Sequence, residues 1–119
     1  MINQPRRYER IPMLGHVAGE IMVFEPMAIT EVSVAGVGIE TRFPLHLNSL
    51  HDLRLTLGSR SVVLKGRVVY SHISEVDQDL VVYGSGLEFV EPPEYARIAI
   101  AEFLDEVKGY RAGIAPSGP

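Results

Sequence analysis

Three arginines within five residues, Arg6, Arg7 and Arg10, carry the strongest local chemistry of this chain. Only Glu9 opposes them, and Pro5 and Pro12 frame the segment. A guanidinium is a planar fork that donates two parallel hydrogen bonds to an oxyanion and stacks on flat rings. The net charge is -4, so the chain offers no general attraction to nucleic acid or to an anionic membrane. Any anion site must be local. Downstream, Glu31-Val32-Ser33-Val34-Ala35-Gly36 is a polar kink between apolar stretches. The Ser33 hydroxyl can donate and accept, and Gly36 permits a left-handed or closely approached backbone. Glu31 is an acceptor on a long stem, which also lets it pair with Arg6 or Arg10 when no ligand is present.

Other chemistries find less support. There is no cysteine, which excludes disulfides and thiolate metal sites. His16, His46, His51 and His72 lack metal-ligand spacing, and Asp77 and Asp79 lack the glycine and distal glutamate of a calcium loop. Gly84-Ser85-Gly86 sits inside a strand-like run, not at the strand-to-helix turn of a dinucleotide fingerprint. Met13, Met22 and Met27 suit core filling. No residue constellation suggests a nucleophile or a general acid and base, so the expectation is a protein that binds and does not catalyse.

The elements that must position these residues are mostly strands. At 119 residues, with 46% hydrophobic and 22% charged content, the chain suits one globular domain. Residues 1–12 form a polar arm that proline keeps from helix. Residues 16–24, 37–43 and 53–57 carry β-branched, aromatic or alternating apolar side chains, and Gly58-Ser59 marks a turn. A long run over 62–73 places Gly66 at a bulge, 74–79 forms a hairpin loop, and 80–90 returns. Many short strands with turns between them suggest a closed barrel or a sandwich, either of which deals with exposed strand edges.

Pro92-Pro93 then opens a helix over about 94–108, with Ile100, Phe103, Leu104 and Val107 on one face and Gly109 as its stop. Residues 13–109 thus make the barrel and its helix, and 110–119 a disordered tail. No apolar run of about 18 residues exists to span a membrane, and no signal peptide is visible. The expected location is the cytoplasm.

The two motifs, in this order and on a β-rich chain of this size, resemble the paired signature of PilZ domains. That signature is R-x-x-x-R followed by [D/N]-x-S-x-x-G. Glu31 departs from it, standing where the family has Asp or Asn. The resemblance covers about Arg6 to Val107 and implies a small bacterial antiparallel β-barrel with a C-terminal α-helix. It also implies a cyclic di-GMP receptor. Arg6 and Arg10 would grip guanine edges or phosphates, with Arg7 in support, and Glu31, Ser33 and Gly36 would form the floor. A bidentate arginine contact to guanine is worth roughly 1–3 kcal/mol of discrimination.

No cofactor is implied beyond that ligand. The expected mechanism is ordering of a mobile arm over the barrel, felt by a motility, exopolysaccharide or regulatory protein, with no DNA, RNA or membrane as partner. The helix face can pack on the barrel or on a second copy, which leaves room for a homodimer. The alternative is a degenerate PilZ-fold interaction module that binds no nucleotide. Retained arginines favour the receptor, and Glu31 favours the alternative.

Overall fold

Alternation of apolar side chains builds the strands. The computed structural model describes residues 8–14, 17–21 and 25–111. Along β5, Leu50–Leu57, the side chains of Leu53, Leu55 and Leu57 point inward and are buried. On β6, Arg60–Asp77, the inward series is Val62, Leu64, Gly66 and Val68. The remaining strands are β1 (Ile11–Pro12), β2 (Ala18–Ile21), β3 (Glu25–Val32), β4 (Gly36–Thr41) and β7 (Leu80–Val90).

All pair antiparallel in the order β1-β3-β2-β5-β6-β7-β4, and a further β3–β4 pairing closes the ring. Closure removes the exposed ladder edges that an open sheet would present. Inside lie Ile21, Val37, Ile39, Leu55, Val68 and Leu87, none more than 1% exposed.

The helix α1, Glu94–Arg111, packs against β5 and β6. The Pro93 carbonyl accepts hydrogen bonds from the Ala96 and Arg97 N–H groups, 3.0 Å each, so the proline pair does open the helix. Ala96, Ala99, Ile100 and Leu104 are buried, and Phe103 and Val107 pack beside them. Glu94, Glu102, Asp105 and Glu106 face solvent. No helix among the described residues is long and apolar enough to cross a membrane.

Three expectations need correction. Gly66 is no bulge: it pairs regularly with His51 and Phe89, and its missing side chain makes room for Leu53 and Leu87. The 74–79 segment is not a loop, because β6 continues to Asp77 and turns at Gln78-Asp79, with Gln78 at φ 56. The polarity of 74–79 misleads because the β6–β7 ladder continues past the barrel, where both faces meet water. Gly109 does not stop the helix, which runs on to Arg111. A helical glycine costs only about 1 kcal/mol relative to alanine, and nearby Leu104 and Val107 anchor the last turns. The expected tail begins one residue before Arg111, and most of it lies outside the described residues.

Candidate ligand-binding site

Two irregularities in strand pairing assemble this site. On β3 the register shifts between Ile29 and Glu31, whose partners Ile39 and Gly38 are adjacent on β4. Strict alternation would send Glu31 inward with Met27 and Ile29. The extra residue, Thr30, turns Glu31 to the outer face, and Val32 then returns to the core at 0% exposure. A second shift on β6 lies between Val68 and Tyr70, whose partners Leu87 and Gly86 are adjacent on β7. It turns Tyr70 outward in the same way. Glu31, Gly38, Gly86 and Tyr70 therefore form one cross-strand row on the outer surface.

Pro12 pairs with Glu31 at the edge of that row, and Arg10 lies two residues before it. The Arg10 Nη1 stands 3.5 Å from Glu31 Oε2, with both side chains about 30% exposed. One contact of that length occupies little of the guanidinium fork. Glu9 anchors the same stretch differently, since Lys108 Nζ on α1 donates to its Oε1 at 3.0 Å. Arg6 and Arg7 lie outside the described residues.

Ser33 and Gly36 build a tight turn between β3 and β4. The Ser33 N–H donates to the Gly36 carbonyl at 2.9 Å. The N–H groups of Ala35 and Gly36 both donate to Ser33 Oγ, at 3.1 Å each. Ser33 is 2% exposed, so its hydroxyl serves the turn and holds the backbone in shape. Gly36 has no positive φ; it is needed because a Cβ would run into the Leu87 carbonyl oxygen on β7. Close approach, of the two roles open to this glycine, is the one it fills.

Sequence reasoning missed the glycines of the outer face and the rings that cover them. A Cβ on Gly38 would meet Glu31 Cγ at 2.8 Å, so the glutamate stem lies across it. A Cβ on Gly86 would strike the Tyr70 ring, and one on Gly84 would meet His72 Cε1 at 2.8 Å. Tyr70 and His72 lie parallel, centroids 5.8 Å apart and planes within 5°. One signal was available: Tyr70-x-His72 faces Gly84-x-Gly86 with matched two-residue spacing. In the next row Ser74 Oγ donates to Glu40 Oε2 at 3.0 Å.

His51 is part of a separate surface network, its Nε2 2.8 Å from Ser49 Oγ. Burial lowers the pKa of its imidazole, and the neighbouring Asp52 carboxylate partly opposes that.

Comparison with known proteins agrees with this architecture. The family model described as PilZ domain matches residues 4–106. The MrkH–c-di-GMP complex from K. pneumonia superposes with a TM-score of 0.74 at 16% identity, covering 93% of this chain and 56% of its own. The PilZ domain of Escherichia coli YcgR with c-di-GMP gives 0.71 at 15%, covering 92% and 98%. The Bacillus subtilis inhibitor of motility, MotI/DgrA, gives 0.70 at 14%, covering 89% and 52%. This chain thus spans about half the length of MrkH and MotI, and nearly all of the YcgR domain. Among curated protein sequences nothing matches it. With a family match over most of its length and the barrel, C-terminal helix and bulged motif strands in place, this chain belongs to the PilZ domain family.

Proposed function

We propose that this domain is a cyclic di-GMP receptor. The observation that carries the proposal is Arg10 held at 3.5 Å from Glu31, which lies two residues before the Ser33–Gly36 turn and pairs with Gly38 on β4. A partly exposed ion pair of this kind contributes about 1 kcal/mol or less. A bidentate contact to guanine O6 and N7 is worth roughly 1–3 kcal/mol. The ligand therefore outcompetes the carboxylate for Arg10. Glu31 is freed to accept from the guanine N–H groups, which a carboxylate does well and a cation cannot. Arg6 and Arg7 would supply further forks, to phosphate or to the second base. The c-di-GMP complexes of MrkH and of the YcgR PilZ domain lend support by likeness of fold.

The signal would leave through the arm. Glu9 ties it to Lys108, so drawing Arg10 over the sheet changes the surface shared by the arm and the end of α1. A motility, exopolysaccharide or transcription component would read that surface. The arm expected over 1–12 is shortened by β1, whose Ile11 and Pro12 pair with β3, so the proposed functional unit is an arm up to Arg10 and a barrel and helix from Ile11 to Arg111. Nothing in its chemistry calls for a catalytic role, and its proposed place is the bacterial cytoplasm, where this nucleotide acts.

The second reading, an interaction module that binds no nucleotide, draws on the same ion pair, since a guanidinium already satisfied has less to gain. Titration calorimetry separates the two. Wild type should bind cyclic di-GMP, and Arg10→Ala should weaken binding at least about tenfold. Unchanged affinity in the variant would remove Arg10 from the site.

A further inference from the structure

We infer that the overhang of the β6–β7 hairpin, residues 73–83, is a docking surface for a basic and apolar segment of a partner protein. It lies outside the proposed nucleotide site and does not depend on that reading. Pairing defines the overhang. The β5 partners of β6 stop at Arg67, and the β4 partners of β7 stop at Tyr83. From Ser74 to Val82 the two strands have only each other, joined by the turn at Gln78-Asp79.

Register makes this ribbon two-faced. Tyr83 pairs with buried Thr41 on β4, so it belongs to the face that forms the core inside the barrel. Its β6 partner is Ile73, and two positions along β7 Val81 pairs with Val76. Strict alternation would send Ile73 and Val76 to opposite faces. The register shift between Ile73 and Glu75 brings both to the same one. Ile73, Val76, Val81 and Tyr83 therefore form one apolar face where no core remains to receive it. Ile73 and Val76 keep 60% and 62% exposure. A contiguous apolar patch rimmed by polar residues marks an interaction site, which single exposed side chains do not.

Charge identifies the occupant. Glu75 and Asp77 lie on the opposite face, paired with Val82 and Leu80, and Asp79 sits in the turn. No Lys or Arg occurs between Arg67 and Arg97, so nothing within the hairpin offsets these carboxylates. Arg42 follows Thr41 at the base of the overhang. A second copy would set the carboxylates against its own, and an anionic lipid surface or a nucleic acid would meet the same repulsion. A protein segment with apolar side chains and Lys or Arg beside them satisfies the apolar face and its acidic rim together.

The test is a selection of random peptides displayed on phage against the whole chain, without nucleotide. Enriched peptides are then measured by fluorescence anisotropy against wild type, Ile73→Thr/Val76→Thr and Glu75→Lys/Asp77→Lys. Threonine keeps the β-branched shape that strands prefer and removes apolar surface. Thermal unfolding checks that each variant is folded. Expected are peptides that combine Lys or Arg with apolar residues and bind each variant about tenfold more weakly or worse. No enrichment, or enrichment of peptides without basic residues, overturns the proposal. Unchanged affinity in either folded variant overturns it as well. So does a wild-type dimer in sedimentation that dissociates in Ile73→Thr/Val76→Thr, since a second copy would then be the occupant. Each of these failures leaves the receptor reading standing.

Discussion

Glu31 and Tyr70 occupy opposite ends of one row on the outer face of the barrel, with the paired glycines Gly38 and Gly86 between them. Each reaches the row through a one-residue bulge, on β3 and on β6 respectively. A bulge costs ladder hydrogen bonds, and here it re-aims a side chain at each site. The two side chains overhang the glycines from either side, which accounts for both glycines at once.

Gly38→Ala should separate folding from binding. The nearest atoms to the new Cβ belong to side chains, Glu31 Cγ at 2.8 Å and Thr30 Oγ1 at 3.0 Å, and these can move. Stability in urea should fall by about 1 kcal/mol, which leaves the chain folded. Displaced Glu31 should cost cyclic di-GMP affinity about fivefold or more in calorimetry. Loss of both together would mean that the glycine is structural only.

Gly36→Ala should behave in the opposite way. Its Cβ would meet the Leu87 carbonyl, a backbone group fixed in the β4–β7 ladder. Overpacking of that kind costs about 2 kcal/mol. The midpoint of thermal unfolding should fall on the order of 10 °C. A midpoint within about 2 °C of wild type would contradict the close approach.

Glu31→Gln keeps the stem and removes the charge. The amide offers one acceptor where the carboxylate offers two, and its NH₂ opposes the guanine donors. Binding should weaken about tenfold even though the competing pair with Arg10 is gone. Tighter binding in this variant would show that Glu31 acts mainly as an inhibitor of the empty site.

Stability should depend on pH through His51. Its pKa in the folded protein lies below the ordinary 6.5, chiefly because burial disfavours the charged ring. The unfolded chain then takes up the proton more readily, so protonation favours unfolding. The His51 contribution is whole above about pH 6.5 and declines as pH falls below it. Urea denaturation at a series of pH values should show that decline in wild type and a shallower one in His51→Gln. Identical slopes would remove His51 as the cause.

The sequence made the barrel visible wherever alternation was unbroken. Leu53, Leu55 and Leu57 on β5, the inner face of β4, and the apolar stripe of α1 all lie where their periods place them. Strand β3 was less visible, since Pro26 and Glu31 interrupt it and its partner β2 is short. Bulges were the chief obstacle. A bulge is one unpaired residue, and whether Val69 or Gly66 supplies it is decided by which side chain the opposite strand can accommodate. For the same reason Tyr70 was not placed in the site and His72 was weighed only as a metal ligand, although the glycines that receive them are plain in β7. Ser33 was recognised as part of the motif, but its service to the turn follows from burial, which only folding decides.

The most direct test of the account is a calorimetric titration of the unmodified chain with cyclic di-GMP. Saturable binding at about micromolar concentration or tighter, equivalent to about 8 kcal/mol, is the predicted result. No heat and no saturation up to about 1 mM nucleotide would contradict it and leave a PilZ barrel whose arginine and glutamate serve only each other.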